Sequence, residues 1–384
     1  MRKSFLVRPT LIALSSLATL GGAHAADFKA GDWDLNVGGF INAYYTHTNC
    51  SGFNGFTGGT PLASQAVGCA GTSGRTVIGN GLLPNALITT AKTQQDGVDI
   101  SATLMIGAAV SSDSAIANNN NVDIRQGFMT FGTADMGTIK LGRDYGLFGS
   151  NAILSDMTLL GAGAPVAATQ RNRVTLGHIG AGYTYLGHYG QITYTTPSLG
   201  GGIKATVGLM SPVDAAPFIA KNQPQVQALL GGDITADGKW WVGYKHQAFT
   251  DQTTNTSFNM NGYEIGAKYT LGPVGLLANF QTGKGIGVLT DGDLGNTKQR
   301  NALVQATFMV TPKTKLGLSW GQSRVKDQTL TTDLKTNANL TGGAYYNLTK
   351  SLTLVGELSR TESKAFAGQK AKMNGIAAGA ILFF

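Results

Sequence analysis

Long apolar runs are missing from this chain once its first 25 residues are set aside. No helix able to cross a bilayer is therefore encoded, since that needs about 18–20 consecutive apolar residues. Charge is scarce too. Asp, Glu, Lys and Arg together make up 13% of the 384 residues, roughly half the usual share for a globular domain. There is no cluster of Lys or Arg. The formal charge is +8, from 29 basic and 21 acidic residues. Arg2, Lys3 and Arg8 fall in the first 25 residues, leaving 26 basic groups against 21 and a charge of +5. So mild an excess excludes nucleic acid as a partner. Cysteine is reduced to Cys50 and Cys69. The five histidines, one of them His24, have no metal-ligand spacing, so neither metal nor cofactor is expected.

What is present begins with an export signal. Residues 1–25 carry a basic start, the short apolar core Leu11 to Leu20 and the small-x-small site Ala23-His24-Ala25. This order predicts a secretory signal peptide cleaved after Ala25, leaving residues 26–384 as one mature domain. In an exported protein, Cys50 and Cys69, in a Gly/Ser/Thr-rich stretch, are expected to close a disulfide.

The main signal is alternation with period two. In "VDISATLMIG", Val98, Ile100, Ala102, Leu104 and Ile106 share one face, and Asp99, Ser101, Thr103, Met105 and Gly107 the other. "WDLNVGGFINAYY", "YEIGAKYT" and "KLGLSWG" repeat the pattern. Such segments are strands with one apolar and one mainly polar face. Short connections such as "TQQDG", "TADMG" and "TPKTK" alternate with long polar stretches along the whole chain. The reading is sixteen strands, and no composition shift divides them into two domains. Short turns on one side and long loops on the other fit an all-β, sixteen-stranded antiparallel transmembrane β-barrel in an outer membrane. Closure pairs every backbone group and leaves no edge in lipid. The ending "NGIAAGAILFF" fits as well. Ile376, Ala378, Ala380, Leu382 and Phe384 are expected to face lipid, Phe383 and Phe384 to sit at the interfacial aromatic girdle, and the strand to close against residues 33–48. Trp240, Trp241 and Trp320 also read as girdle residues.

One long connection, residues 144–187, is apolar for an exposed loop, with Leu147, Phe148, Ile153, Leu154, Met157, Leu159, Leu160 and Val166. Left in water these groups would be costly, so the loop is expected to fold inward as a constriction, with a helical turn near "AILSDMTLL". A plug or an external lid is the alternative. By parity, Lys92, Lys140, Lys204, Lys268, Lys315, Asp99, Glu264 and Glu357 line the pore wall. Basic groups outnumber acidic ones there, which predicts a weak anion preference.

"IRQGFMTFGTADMGTIKLGRDYG" (residues 124–146) and "QITYTTPSLGGGIKATVGLM" (residues 191–210) resemble motifs of the general Gram-negative porin family. Over the mature chain the resemblance implies a trimeric barrel whose inward-folded third loop sets acidic groups opposite a basic wall. Carried to this sequence, Arg143 and Arg171 or Arg173 are the basic constriction candidates, and Asp144 and Asp156 the acidic ones. The terminal Phe384 resembles the signal read by the barrel-assembly machinery. Homotrimer partners, outer-membrane lipid and small hydrophilic solutes follow from the same likeness. The loop departs from the family in lacking a Pro-Glu-Phe-Gly run and in being poor in acids. Strict alternation also sets Arg143 on the face of Ile139 and Leu141, so its pore position requires a bend.

Catalytic chemistry is not expected. "GLSWG" around Ser319 fits a nucleophile-elbow pattern but lies inside an alternating strand, without the strand–turn–helix it requires. Asp291 and Asp293 in "TDGDLGN" lack the further acids of a calcium loop and read as a solvated loop. The sequence thus predicts a passive diffusion channel. A substrate-selective channel and a non-conducting barrel serving as adhesin or anchor are the alternatives.

Overall fold

A computed structural model describes residues 26–110, 122–167, 175–327 and 330–384. Its strands form one antiparallel sheet, sixteen of them making a closed barrel. In chain order the barrel strands are β1 Trp33–Gly52, β2 Asn85–Gln95, β3 Val98–Ala108, β4 Val122–Thr133, β5 Gly137–Tyr145, β6 His188–Thr195, β7 Lys204–Met210 and β8 Gln225–Thr235. There follow β9 Gly238–Asp251, β10 Thr256–Leu271, β11 Val274–Lys284, β12 Lys298–Thr311, β13 Thr314–Val325, β14 Leu334–Asn347, β15 Leu352–Ala365 and β16 Lys370–Phe383.

Closure comes from β16 returning to β1, in register from Phe383 opposite Phe40 to Ala371 opposite Gly52. Phe384 extends the seam: its N–H donates to the Gly39 carbonyl at 3.0 Å, and the Gly39 N–H to the Phe384 carbonyl at 2.8 Å. Three short strands fill in where partners differ in length. Ala26–Ala30 folds back on the start of β1, Gly74–Gly79 continues the row of β2 along the upper half of β1, and Phe218–Ala220 lies on the end of β9. The turns follow local chemistry. Between β2 and β3, Asp96 and Gly97 both take positive φ, at +49° and +81°, the paired left-handed geometry whose twist matches a two-residue hairpin.

Period two sets the two faces. On β3, Leu104 and Ile106 are 48% and 45% exposed on the outside, while Thr103 and Met105 are 4% and 1% exposed on the inside. Ile41 and Tyr45, Ile265, Leu316 and Leu318, and Ile376 and Leu382 are likewise exposed on the outer face. An apolar band of this kind suits hydrocarbon, where every N–H and C=O must find a partner within the wall.

Two aromatic expectations are corrected by the same parity. Phe383 alternates with Leu382 and Phe384, so it points inward, buried, with its ring 5.9 Å from that of Phe40. Trp241 alternates with Trp240 and is also buried inside, its indole N–H donating to Asn279 Oδ1 at 3.0 Å. Among the expected girdle residues, Trp320 and Phe384 are exposed large apolar groups on the outside.

The connections are long at one end of the barrel and short at the other. At the long end, helix α1 (Gln65–Gly68) is capped by Ser64 and tied down by a Cys50–Cys69 disulfide. The segment after β5 contains helix α2 (Ser150–Ser155) and a 3-10 turn at Met157–Leu160, where the sequence suggested a helical turn.

If the outer band is lipid-facing, Leu318→Arg at its middle should lower unfolding stability in bilayers by about 2–4 kcal/mol. Urea titration of the vesicle-inserted barrel measures this, and an unchanged midpoint would contradict the assignment of that face.

Candidate functional site

Charge enters the interior first from β4 and β5. A register shift opposite Met105 and Gly107 lets two successive residues of β4, Arg125 and Gln126, both point inward and be buried. The Arg125 guanidinium pairs with Asp123 at 2.6 Å and donates to the Tyr185 hydroxyl at 3.2 Å. Gln126 donates to Asp144 at 2.7 Å, and Lys140 forms an ion pair with the same carboxylate. Lys140 also lies 5.0 Å above the Phe128 ring. Lys140 and Asp144, expected on wall and loop respectively, thus form one pair on β5, half-buried at Lys140 and buried at Asp144.

Arg143 is a correction. Alternation holds through β5 without the bend a pore position needs, so Arg143 is exposed on the outer face and donates to the Ile124 carbonyl at 3.2 Å. Arg171 and Arg173 lie outside the described residues.

Beyond Tyr145 the chain runs against inward-facing wall side chains. The N–H groups of Leu147 and Phe148 donate to Gln227 Oε1 (2.7 and 2.9 Å), and that of Gly149 to Glu264 Oε2 at 2.9 Å. Met157 donates to Gln305 at 2.6 Å, and Ala162 and Gly163 donate to Glu357 Oε2 at 2.8 and 2.7 Å. The Gly182 and Thr184 N–H groups reach Ser323 (3.2 Å) and Gln281 (3.0 Å). These acceptors come from six strands, β8, β10, β11, β12, β13 and β15, so the segment lies across the lumen. Glu264, expected to face the pore water, is instead buried as a cap for this backbone and also accepts from Gln281 at 3.0 Å. Glu357 is in the same position, with the Tyr345 hydroxyl at 2.6 Å.

Asp156 is the second correction. Its carboxylate does not face the channel. It is fully buried in the segment, accepting from the Tyr183 hydroxyl (2.7 Å) and the Thr158 N–H (2.9 Å), with His178 Nδ1 at 3.1 Å. Burial alone would raise its pKa, but the His178 imidazole, helped by Tyr183 and the Thr158 N–H, holds it below the usual carboxylate range. The other imidazole nitrogen lies 3.3 Å from Ser319 Oγ on β13, so Asp156, His178 and Ser319 form a chain linking segment to wall.

A further cluster went unnoticed in the sequence. Lys245 on β9 is buried, ion-paired with Asp291 and 4.6 Å above the Phe148 ring. Asp291 also accepts from Tyr189 (3.0 Å) and Gln225 (2.9 Å). The solvated-loop reading is therefore corrected. Asp293 points elsewhere and caps the N–H groups of Val288, Leu289 and Thr290, and burial lifts its pKa to about 6 against those bonds. Among the described residues no group of His, Cys, Asp and Glu is arranged to hold a metal.

The remaining wall lysines are partly or fully exposed, Lys239 lying 3.8 Å from Asp233 and Lys315 4.9 Å above the Tyr345 ring. A cavity of about 440 Å³ lies between Leu154–Leu160 and the short-turn end of the barrel, with Lys239, Lys268 and Lys315 in its lining. Lys239 and Lys268 stand directly opposite each other on β9 and β10. Lys92 and Lys204 are exposed on inward parity at the same end, where Lys92 stands opposite Asp34 and Asp99 accepts from Gln94 at 2.9 Å.

An antiparallel barrel with a lipid-suited outside, a polar inside and a segment lying across the lumen is the architecture of an outer-membrane channel. Residues 11–365 match the Gram-negative porin family, and the chain belongs to it. Solved structures share the fold. The outer membrane channel DcaP of Acinetobacter baumannii superposes with a TM-score of 0.70 at 16% identity, over 94% of this chain and 100% of that one. An anion-selective porin from Comamonas acidovorans gives 0.64 at 16% identity, over 92% and 100%. OmpF of Salmonella typhi gives 0.61 at 15%, again over 92% and 100%. No curated protein sequence matches the chain.

Removing the central acceptor of the segment should loosen it. Asp156→Ala leaves three donors without that partner, at about 1–3 kcal/mol for each one left unsatisfied, and should raise current noise and expose the segment to protease. Because the folded pKa is depressed, the Asp156 contribution is present above the unfolded value near 4 and lost as pH falls through the folded one. Wild-type protease resistance should thus persist from neutral pH to about 4 and decline below it. A decline beginning near pH 6 would contradict the assignment.

Proposed function

We propose that this porin passes small hydrophilic solutes and ions by passive diffusion, with a preference for anions. The observation that carries the preference is how the interior charges are engaged. Asp144, Asp156, Glu264, Asp291 and Glu357 are each buried and hydrogen-bonded or ion-paired. Lys239, Lys268 and Lys315 instead border the cavity, three ammonium groups against the one exposed carboxylate of its lining, Asp237, with Lys239 3.8 Å from Asp233. In a wet lumen an anion near one such ammonium gains about 1 kcal/mol at 4 Å, enough to bias permeation without chemistry. The wall cations at the short-turn end, rather than Arg143, act as the selecting groups.

The same reading takes the protein as exported with cleavage after Ala25, recognised for assembly through the strand ending at Phe384, and homotrimeric. It also keeps Lys92, Lys204 and Asp99 as pore-entrance charges and Lys140 with Asp144 as a structural pair beside the path. Arg171 and Arg173 remain candidate constriction groups on the resemblance alone.

A hydrolase is the second reading, favoured by one observation, the Asp156–His178–Ser319 relay order. Against it, His178 and Ser319 are 0% and 1% exposed, and neither lines the cavity, so no substrate carbonyl has a place beside Ser319. The chain of bonds serves better as a latch. Ester hydrolysis abolished by Ser319→Ala in refolded protein would restore the catalytic reading.

Planar-bilayer recording under a salt gradient tests the main proposal. Discrete conductance steps closing in threes, with a reversal potential of anionic sign, are expected. Lys268→Gln with Lys315→Gln should reduce the anion-to-cation permeability ratio by roughly threefold, on the Coulomb scale above. Cationic selectivity in the wild type would overturn the preference. A saturable block by one solute would favour a substrate-selective channel, and a folded but silent barrel an adhesin or anchor.

A further inference from the structure

The first long connection, residues 53–73 between β1 and the strand Gly74–Gly79, also enters the barrel. Its first part is tied to the start of β14, where the Leu334 N–H donates to the Gly58 carbonyl at 3.0 Å. The chain then turns inward. The Leu62 N–H donates to Asn337 Oδ1 at 3.2 Å, the Ala63 N–H to Ser363 Oγ at 2.9 Å, and Asn337 Nδ2 to the Thr60 carbonyl at 2.9 Å. Asn337 on β14 and Ser363 on β15 are buried on the inner face, and Leu62 and Ala63 are fully buried over them.

Helix α1 continues this loop along β16. A side chain at Gly68 would meet Met373 Sδ at 2.7 Å, and Met373 stands opposite Cys50 across the β1–β16 seam. Cys50 has the inward parity of Tyr44, Thr46 and Thr48, so its bond to Cys69 lies inside the barrel and is buried at both ends. There the loop meets the lumen segment. The Ala167 N–H donates to the Gly68 carbonyl at 3.1 Å. A side chain at Gly180 would clash with Leu289 and reach Leu62 at 3.5 Å. Leu289 belongs to the connection between β11 and β12, and its carbonyl accepts from the Tyr185 N–H at 2.9 Å. The returning limb of the segment is thus gripped by two other loops.

Composition alone would not hold residues 53–73 in place. They include five glycines, Gly55, Gly58, Gly59, Gly68 and Gly71, and a single four-residue helix. Ordering so glycine-rich a chain costs more backbone entropy than usual. The cross-link spans 19 positions and pins the far end of the loop to the wall, which leaves it few other conformations. Ser363, which holds Ala63, lies beyond Glu357 on β15 by about 20 Å along the strand before tilt. A solute entering from the long-loop end therefore meets residues 60–69 before the part of the segment held by Glu357. None of residues 60–69 is charged.

We propose that residues 60–69 are a second size filter of the channel, in series with the lumen segment, and that the Cys50–Cys69 disulfide sets its limit. The inference rests on reading the chain as a diffusion channel. An uncharged filter restricts by width alone, so it acts apart from the lysines that select anions.

The test compares wild type, Cys50→Ala/Cys69→Ala and, with the disulfide intact, Leu62→Gly, each as refolded mature protein in planar bilayers. Conductance, reversal potential under a salt gradient and the largest polyethylene glycol that enters the pore are read from the same channels. Without its cross-link the filter should widen, raising conductance about 1.5-fold or more and admitting larger polymers. The reversal potential should keep its wild-type value, because no charge has moved. Leu62→Gly should shift the limit in the same direction by less. If the cysteine variant fails to refold, dithiothreitol is applied to folded wild type, and thiol labelling selects chains with both cysteines free. A conducting channel whose conductance and polymer limit are unchanged without the disulfide would overturn the inference alone. A reversal potential that moves together with the limit would assign the effect to displaced wall charges instead. A barrel silent in both forms would remove the channel reading and the filter with it.

Discussion

A backbone N–H taken out of water must find an acceptor, and this requirement organises the molecule twice over. In the wall it is met strand to strand, which forces closure. Inside the barrel it is met in part differently, where the described residues between Gly146 and Gly187 run against the side chains of the wall. Glu264, Glu357, Gln227, Gln281 and Gln305 supply the acceptors, each projecting from a different strand. The lumen is shaped by side-chain oxygen atoms that substitute for a neighbouring strand.

That substitution decides the electrostatics. A carboxylate that caps two amides, as Glu357 does for Ala162 and Gly163, has its lone pairs directed into the protein and away from the permeation path. Lysines have no carbonyl to offer and cannot take part in this capping of N–H groups. Lys140 and Lys245 pair with carboxylates, and others are left to ring faces, as Lys315 is 4.9 Å above Tyr345, and to the cavity. Among the groups that meet the segment's backbone, hydrogen-bond role thus withdraws Glu264 and Glu357 from the water and leaves Lys268 and Lys315 beside it.

Period two was legible throughout, and so were the two faces of β1, β3, β10 and β13, the closing strand and the disulfide. The same parity that selected Lys268 and Lys315 also selects Lys245 and Lys239, so these were readable though not read. Other residues were hidden for physical reasons. Arg125 faces inward because of a bulge, and a single inserted residue leaves no mark in composition. Arg143 shows the reverse case, in which a family motif suggested a bend and the strand ran straight. Asp156 lies in the segment after β5, and its partners, His178, Tyr183 and Thr158, are set by a loop conformation that no periodicity encodes.

The seam between β1 and β16 joins residues 40–52 to residues 371–383, nearly the full length of the chain apart. None of its hydrogen bonds can form until the last strand has been delivered. Until then the protein is an open sheet with two unsatisfied edges, one of them belonging to the longest strand, the 20-residue β1. Unpaired edges recruit other strands, correct or not. The contact of highest sequence separation is therefore also the one that ends the period of exposure, and the hazard of this fold lies in the time before closure.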